Sequence, residues 1–140
     1  MPVNYDYDPK LNAVIVHLKG KVSKDEVIDH LGRLLEDDAV QPGYFQIVDF
    51  STTDDYALSE EDIAEIALKV EEVVSAKGHT RSYYFTDSIK TYAIAGLLCA
   101  LGEDNGVNVE VYRDWETMVR VMGMRALDAA KSPSQPLTIT

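Results

Sequence analysis

The chain opens on strict alternation. Val3, Tyr5 and Tyr7 take turns with Asn4, Asp6 and Asp8, the period-two pattern of a half-buried strand. Asp8-Pro9-Lys10-Leu11-Asn12 reads as a turn whose corner Pro9 presets. Ala13 to Leu18 (AVIVHL) is a continuous apolar run, so a central strand, and the short connection makes it antiparallel to the first. Gly20 ends that strand. Ser23, with Glu26 three residues on, is a capping box, and Val22 and Val27 flank it at the spacing of a hydrophobic staple. Val27, Leu31, Leu34 and Leu35 form the stripe of a first helix, and Pro42-Gly43 closes the unit.

The same grammar then repeats. Tyr44–Phe50 is a strand, Ser51–Ala57 a polar loop, and Ser59 the cap of a second helix with Leu58 and Ile63 as its staple. Ile63, Ile66, Ala67, Val70, Val73 and Val74 make its buried stripe, and Gly78 stops it. Arg81–Thr86 is a strand. Asp87 or Ser88 caps a third helix through Leu101, stopped by Gly102 and apolar nearly all round. Val107, Val109 and Val111 alternate with Asn108 and Glu110, a strand with one wet face. Asp114 caps a fourth helix carrying Trp115, Met118, Val119 and Met122, whose pattern weakens beyond Gly123 but can continue through MRALDAAK.

The order ββαβαβαβα predicts an α/β fold: a mixed, mostly parallel five-stranded sheet. Right-handed crossovers put the helices mainly on one face. Residues 1–130 form a single domain, and residues 131–140 a flexible tail. The inner strands are nevertheless apolar on both faces, with Val14 and Val16 opposing Ile15, and Tyr84 opposing Tyr83 and Phe85. A homodimer, a second copy burying the uncovered face, is the expectation that follows.

Composition narrows the function. The 140 residues are 46% hydrophobic and 26% charged, with a formal net charge of −11. That balance excludes sequence-independent binding to nucleic acid or an anionic membrane, both of which need basic patches. The segment Asp49–Glu72 alone carries nine acids against Lys69. MPVNYDYDPK has no basic start or apolar stretch, and no apolar run approaches the roughly 20 residues of a membrane span, so the expectation is a cytoplasmic protein. The lone Cys99 excludes an intramolecular disulfide.

Three stretches carry a family resemblance: the opening hairpin into AVIVHLKGKVS, VDFS (Val48–Ser51) ending the third strand, and TYAIAGLLCALGEDNGVNVEVYRDWETMV. Over most of Val3 to Gly123 the chain resembles the SpoIIAA-like branch of the STAS (sulfate transporter and anti-sigma factor antagonist) domains. The resemblance implies a non-catalytic regulatory or protein-binding module. In the antagonists of that family a phosphorylatable serine opens the second helix within an Asp-Ser-Ser-Gly-like sequence. The matching position is Ser59, in Leu58-Ser59-Glu60-Glu61, where the family's glycine is missing and two acids follow the serine.

Read from the residues alone, Ser59 is an N-cap whose hydroxyl accepts a backbone N–H. A phosphoryl group there would sit beside Glu60, Glu61 and Asp62, which oppose it. Asp49, Ser51, Asp54 and Asp55 are hard oxygen donors, yet acids so spaced in a loop are mostly turn formers and caps, so no metal site is expected. A receiver-type phospho-aspartate at Asp49 fails, because His17-Leu18-Lys19-Gly20-Lys21 supplies no acidic pair. His17, His30 and His79 share no ligand spacing, Cys99 has no local base, and no nucleophile–base–oxyanion set assembles. No catalytic residue, cofactor or metal is expected. The candidate docking and switch residues are Asp49, Ser51, Asp54, Asp55, Ser59, Glu60 and Glu61, on an acidic surface suited to a basic partner. The alternative is a carrier or sensor of a small apolar ligand, lodged among Tyr83, Tyr84, Phe85, Tyr92 and Gly96, between the aromatic strands and the third helix.

Overall fold

A computed structural model describes residues 3–51, 53–78, 81–88, 92, 95–96, 99–100, 103–104 and 106–130, and the side chains of all of these except 53–57 and 126–130. Most of the predicted third helix, His79 and the tail 131–140 lie outside the described residues.

Strand β1 (Val3–Asp8) pairs antiparallel with β2 (Ala13–Leu18), in register from Val3 opposite Leu18 to Asp8 opposite Ala13. From β2 the sheet grows by parallel neighbours: β4 (Phe45–Asp49), β6 (Arg81–Phe85) and β7 (Asn108–Tyr112). The five-stranded order β1-β2-β4-β6-β7 is mixed and mostly parallel, as the pattern predicts. Two short strands were not legible. β3 (Gly20–Ser23) and β5 (Thr53–Ala57) pair parallel as a separate ribbon, so most of the stretch read as a polar loop is a strand. Adjacent aspartates are poor strand formers, and only the tertiary pairing with β3 extends them.

Helix α1 (Lys24–Glu36) begins as the sequence dictates, with the Ser23 N–H and hydroxyl both donating to Glu26 Oε1, at 3.0 and 2.7 Å. Helix α2 (Glu60–Lys77) ends where Gly78 turns left-handed, at φ +64°, a backbone conformation that favours glycine. Residues 92, 95–96, 99–100 and 103–104 are helical, so helical backbone recurs beyond the stop predicted at Gly102. Helix α3 (Trp115–Ala130) runs the full length its weakening pattern allowed.

Alternation splits the sheet into two unlike faces. Val14, Val16, Val48 and Tyr84 share one face with Val3, Leu18 and Phe50, and that face forms the main core with Leu34, Val73 and Ala95. The opposite face carries Ile15, Phe45, Ile47, Tyr83, Phe85 and Tyr112, and α3 lies on it through the fully buried Met118. This corrects the basis for the homodimer. Part of the apolar surface on the second face is met by α3, which packs on Ile47 and Tyr83 through Met118. On β7, Asn108 is exposed and the half-buried Glu110 meets arginines from β6 and α3.

Candidate functional site

The seven acidic-stretch candidates fall on three elements. Asp49 ends β4, and its Oδ1 accepts the Ser51 N–H at 2.8 Å, the self-capping turn expected of an aspartate there. Next to them Phe50 N–H donates to Phe85 O at 2.9 Å, so the chain stays pinned to β6. Asp54 and Asp55 belong to β5, with Asp55 in register with Lys21. Ser59 is the N-cap of α2: its Oγ accepts the Asp62 N–H at 3.1 Å, and Asp62 Oδ2 accepts the Ser59 N–H at 2.9 Å. Glu60 and Glu61 follow, exposed and without a cation partner among the described residues. No hydrogen bond among those residues joins Asp49 or Ser51 to the start of α2, and no group of three His, Cys, Asp or Glu side chains converges on a metal position.

The aromatic candidates do not line one pocket. Tyr83 and Phe85 point to the face under α3, where Phe45 meets Tyr83 edge-on at 5.9 Å and Phe85 meets Trp115 edge-on at 5.2 Å. Tyr84 points the other way, edge-on to Phe50 at 5.3 Å, and burial raises its hydroxyl pKa. Tyr92 is exposed beneath the Arg113 guanidinium, and a Cβ on Gly96 would meet nothing within 4 Å. Period two already sets Tyr84 against Tyr83 and Phe85, and the structure adds that separate helices meet the two faces.

Tyr84 and Tyr83 each border a separate void, one on either face of the sheet. The smaller, about 100 Å³, sits inside the main core between the sheet and α1 and α2, against Val16, Leu31, Phe50 and Tyr84. His30 reaches it from α1, its ring edge-on to Tyr5 at 5.5 Å and its buried Nδ1 without a partner among the described residues. Burial, with the Arg33 charge nearby, pushes its pKa down to about 4, so the imidazole is neutral at physiological pH.

The larger void, about 520 Å³, opens on the other face between the start of β4 and β6 and the middle of α3. Leu11, Phe45, Tyr83, Val119 and Met122 give it apolar walls, and Arg81 and Arg125 border it. Glu110 gathers the two guanidiniums, accepting from Arg81 Nη1 at 3.1 Å and from both terminal nitrogens of Arg125. Arg125 Nη1 also donates to the Tyr83 hydroxyl at 2.9 Å. The Arg125 hydrogen bonds hold the Glu110 carboxyl below its usual range, while burial and the hydrogen bond to Glu110 push Tyr112 up to about 12. Sequence reasoning missed this cluster, since its members lie far apart in the chain and none belongs to a motif. Cys99 is half-buried, its thiol donating to Glu103 at 3.5 Å, with a pKa that burial raises.

A mixed sheet of this order, opened by a hairpin and flanked by helices mainly on one side, is a SpoIIAA-like fold. Among solved structures, the chain is similar to an uncharacterised protein of the DUF3478 family with a SpoIIAA-like fold from Shewanella loihica PV-4. That match has a TM-score of 0.55 and 12% identity, and covers 84% of this chain and 90% of that one. The unphosphorylated anti-sigma factor antagonist SpoIIAA also aligns, with a TM-score of 0.49 and 13% identity over 86% of this chain and 98% of that one. No family model matches the sequence, and no curated protein matches it. Among the described residues no helix is long and apolar enough to cross a membrane.

Proposed function

We propose that this chain is a non-catalytic regulatory module that acts by protein–protein contact, through the acid-rich run from Asp49 into the start of α2. One observation carries the reading: Glu60 and Glu61 stand exposed at a rigidly capped helix start, with no cation of this chain engaging them among the described residues. Carboxylates so placed steer a basic partner and make association salt-sensitive. The Ser59 hydroxyl is already committed to the cap, so its phosphorylation would break that box as well as add charge beside three acids.

The test compares partners captured by the wild-type chain and by Glu60→Lys/Glu61→Lys, at low and at raised salt. Partners that the wild type retains at low salt and the double variant loses support the docking surface. Identical partner sets for the two baits, with the variant folded, refute it. A second reading, a carrier or sensor of a small ligand, is favoured by the 520 Å³ void under α3, within the ~300–1,000 Å³ typical of small-molecule sites.

A further inference from the structure

We infer that the void between the sheet and α3 is a binding site for a small apolar carboxylate: one aliphatic or aryl body ending in a single carboxylate. The inference deepens the ligand-carrier reading and rests on it.

The two ends of the void differ in chemistry. Its walls are Leu11, Phe45, Val119 and Met122, and two of these stay unusually wet, Leu11 at 57% exposure and Val119 at 46%. An apolar body seated there would remove both from water, which is the driving force for occupation. The other end holds cations. The described lining includes two guanidiniums and no carboxylate, in a chain whose formal charge is −11. A negatively charged protein repels anions at long range, so an anion site needs a local concentration of positive charge, and this is where one is built.

The donors are specific. The Arg125 guanidinium has five N–H groups, and three are engaged, one by Tyr83 and two by Glu110, leaving two. Tyr83 is 3% exposed, and its hydroxyl accepts from Arg125 while its own proton meets no acceptor among the described residues. That proton stands at the wall of the void, and a ligand carboxylate would accept it. Glu110 holds the Arg125 fork in place, so the site is organised before the ligand arrives. A neutral alcohol would fill the walls equally well but would accept the same bonds with no charge of its own to pair with the guanidinium. A cationic ligand would face two guanidiniums.

The test is calorimetric titration of the full-length chain at pH 7 with octanoate, 1-octanol and octylamine. Octanoate is expected to bind one-to-one, about tenfold or more tighter than 1-octanol, the margin of a charge-assisted hydrogen bond. Octylamine is expected not to bind. Arg125→Gln should erase the preference for octanoate while leaving 1-octanol unchanged. Tyr83→Phe should narrow it several-fold, and it guards against Arg125→Gln disturbing the fold. Gly123 lies in α3 on the wall, with nothing within 4 Å of a built Cβ, so Gly123→Leu fills the void with a good helix former and should abolish binding of both ligands. If 1-octanol binds as tightly as octanoate, the carboxylate inference is overturned and the carrier reading survives. If neither binds, or both still bind Gly123→Leu, the void is no site and that reading falls with it.

Discussion

The two faces of the sheet solve the same problem differently. On the first, Val14, Val16, Val48 and Phe50 meet two helices and the aliphatic stripe of each, and the largest side chains there are dry. On the second, one helix covers aromatic rings incompletely, a 520 Å³ void persists, and an arginine–glutamate–arginine group stands at its edge. Stability belongs mainly to the first face. The second holds the material a ligand could use, because incomplete packing there leaves donors and apolar surface unspent.

The strongest way to break this contrast is to truncate one side chain from each face. Phe50→Ala, at a fully buried position, is expected to cost about 3–5 kcal/mol in urea unfolding, transfer and cavity terms together. Val119→Ala, beside an existing void, is expected to stay within ~0.5 kcal/mol. Equal losses would mean that the faces bear load alike.

Acid sharpens the same contrast, through His30 on the first face. Its folded-state pKa, about 4, lies below the unfolded value of 6.5, so the unfolded chain binds the proton first. Its contribution is therefore full above pH 6.5 and is lost as pH falls towards 4, a loss of roughly 3 kcal/mol once both states are protonated. Unfolding midpoints between pH 7 and 4.5 should fall more steeply for the wild type than for His30→Leu, which cannot charge. Parallel pH profiles for the two chains would show that the imidazole is not buried neutral.

A smaller loss is expected from Ser59→Ala, about 1 kcal/mol from the broken cap of α2. Thermal unfolding checks it, and an unchanged midpoint would mean that Asp62 and solvent replace the hydroxyl without cost.

Much of the first face was readable from local pattern. AVIVHL, the Ser23–Glu26 box, the Ser59 cap and the Gly78 stop each act within a few residues, and the structure keeps all four. What was not readable depends on distant partners. β5 becomes a strand only because β3 lies alongside it, and the helix that meets Tyr83 on the second face comes from the far end of the chain. Arg81, Glu110 and Arg125 come from three separate elements, and the edge of the larger void is built from such meetings. The acidic run was legible as charge, but its division among a strand end, a ribbon and a helix cap was not.

The small β3–β5 ribbon has one further consequence. Because its two strands run parallel and each leads at once into a helix, α1 and α2 start side by side and point the same way. Their macrodipoles therefore lie in the least favourable mutual arrangement, positive end beside positive end. Asp25 and Glu26 stand in one first turn, and Glu60, Glu61 and Asp62 in the other, as counter-charge to both. Lys24 at the first start reaches Glu65 on the second helix at 3.0 Å and clamps the pair. Part of this chain's acidity is thus an internal electrical balance, and a basic partner docking at α2 would draw on charge that already holds two helices together.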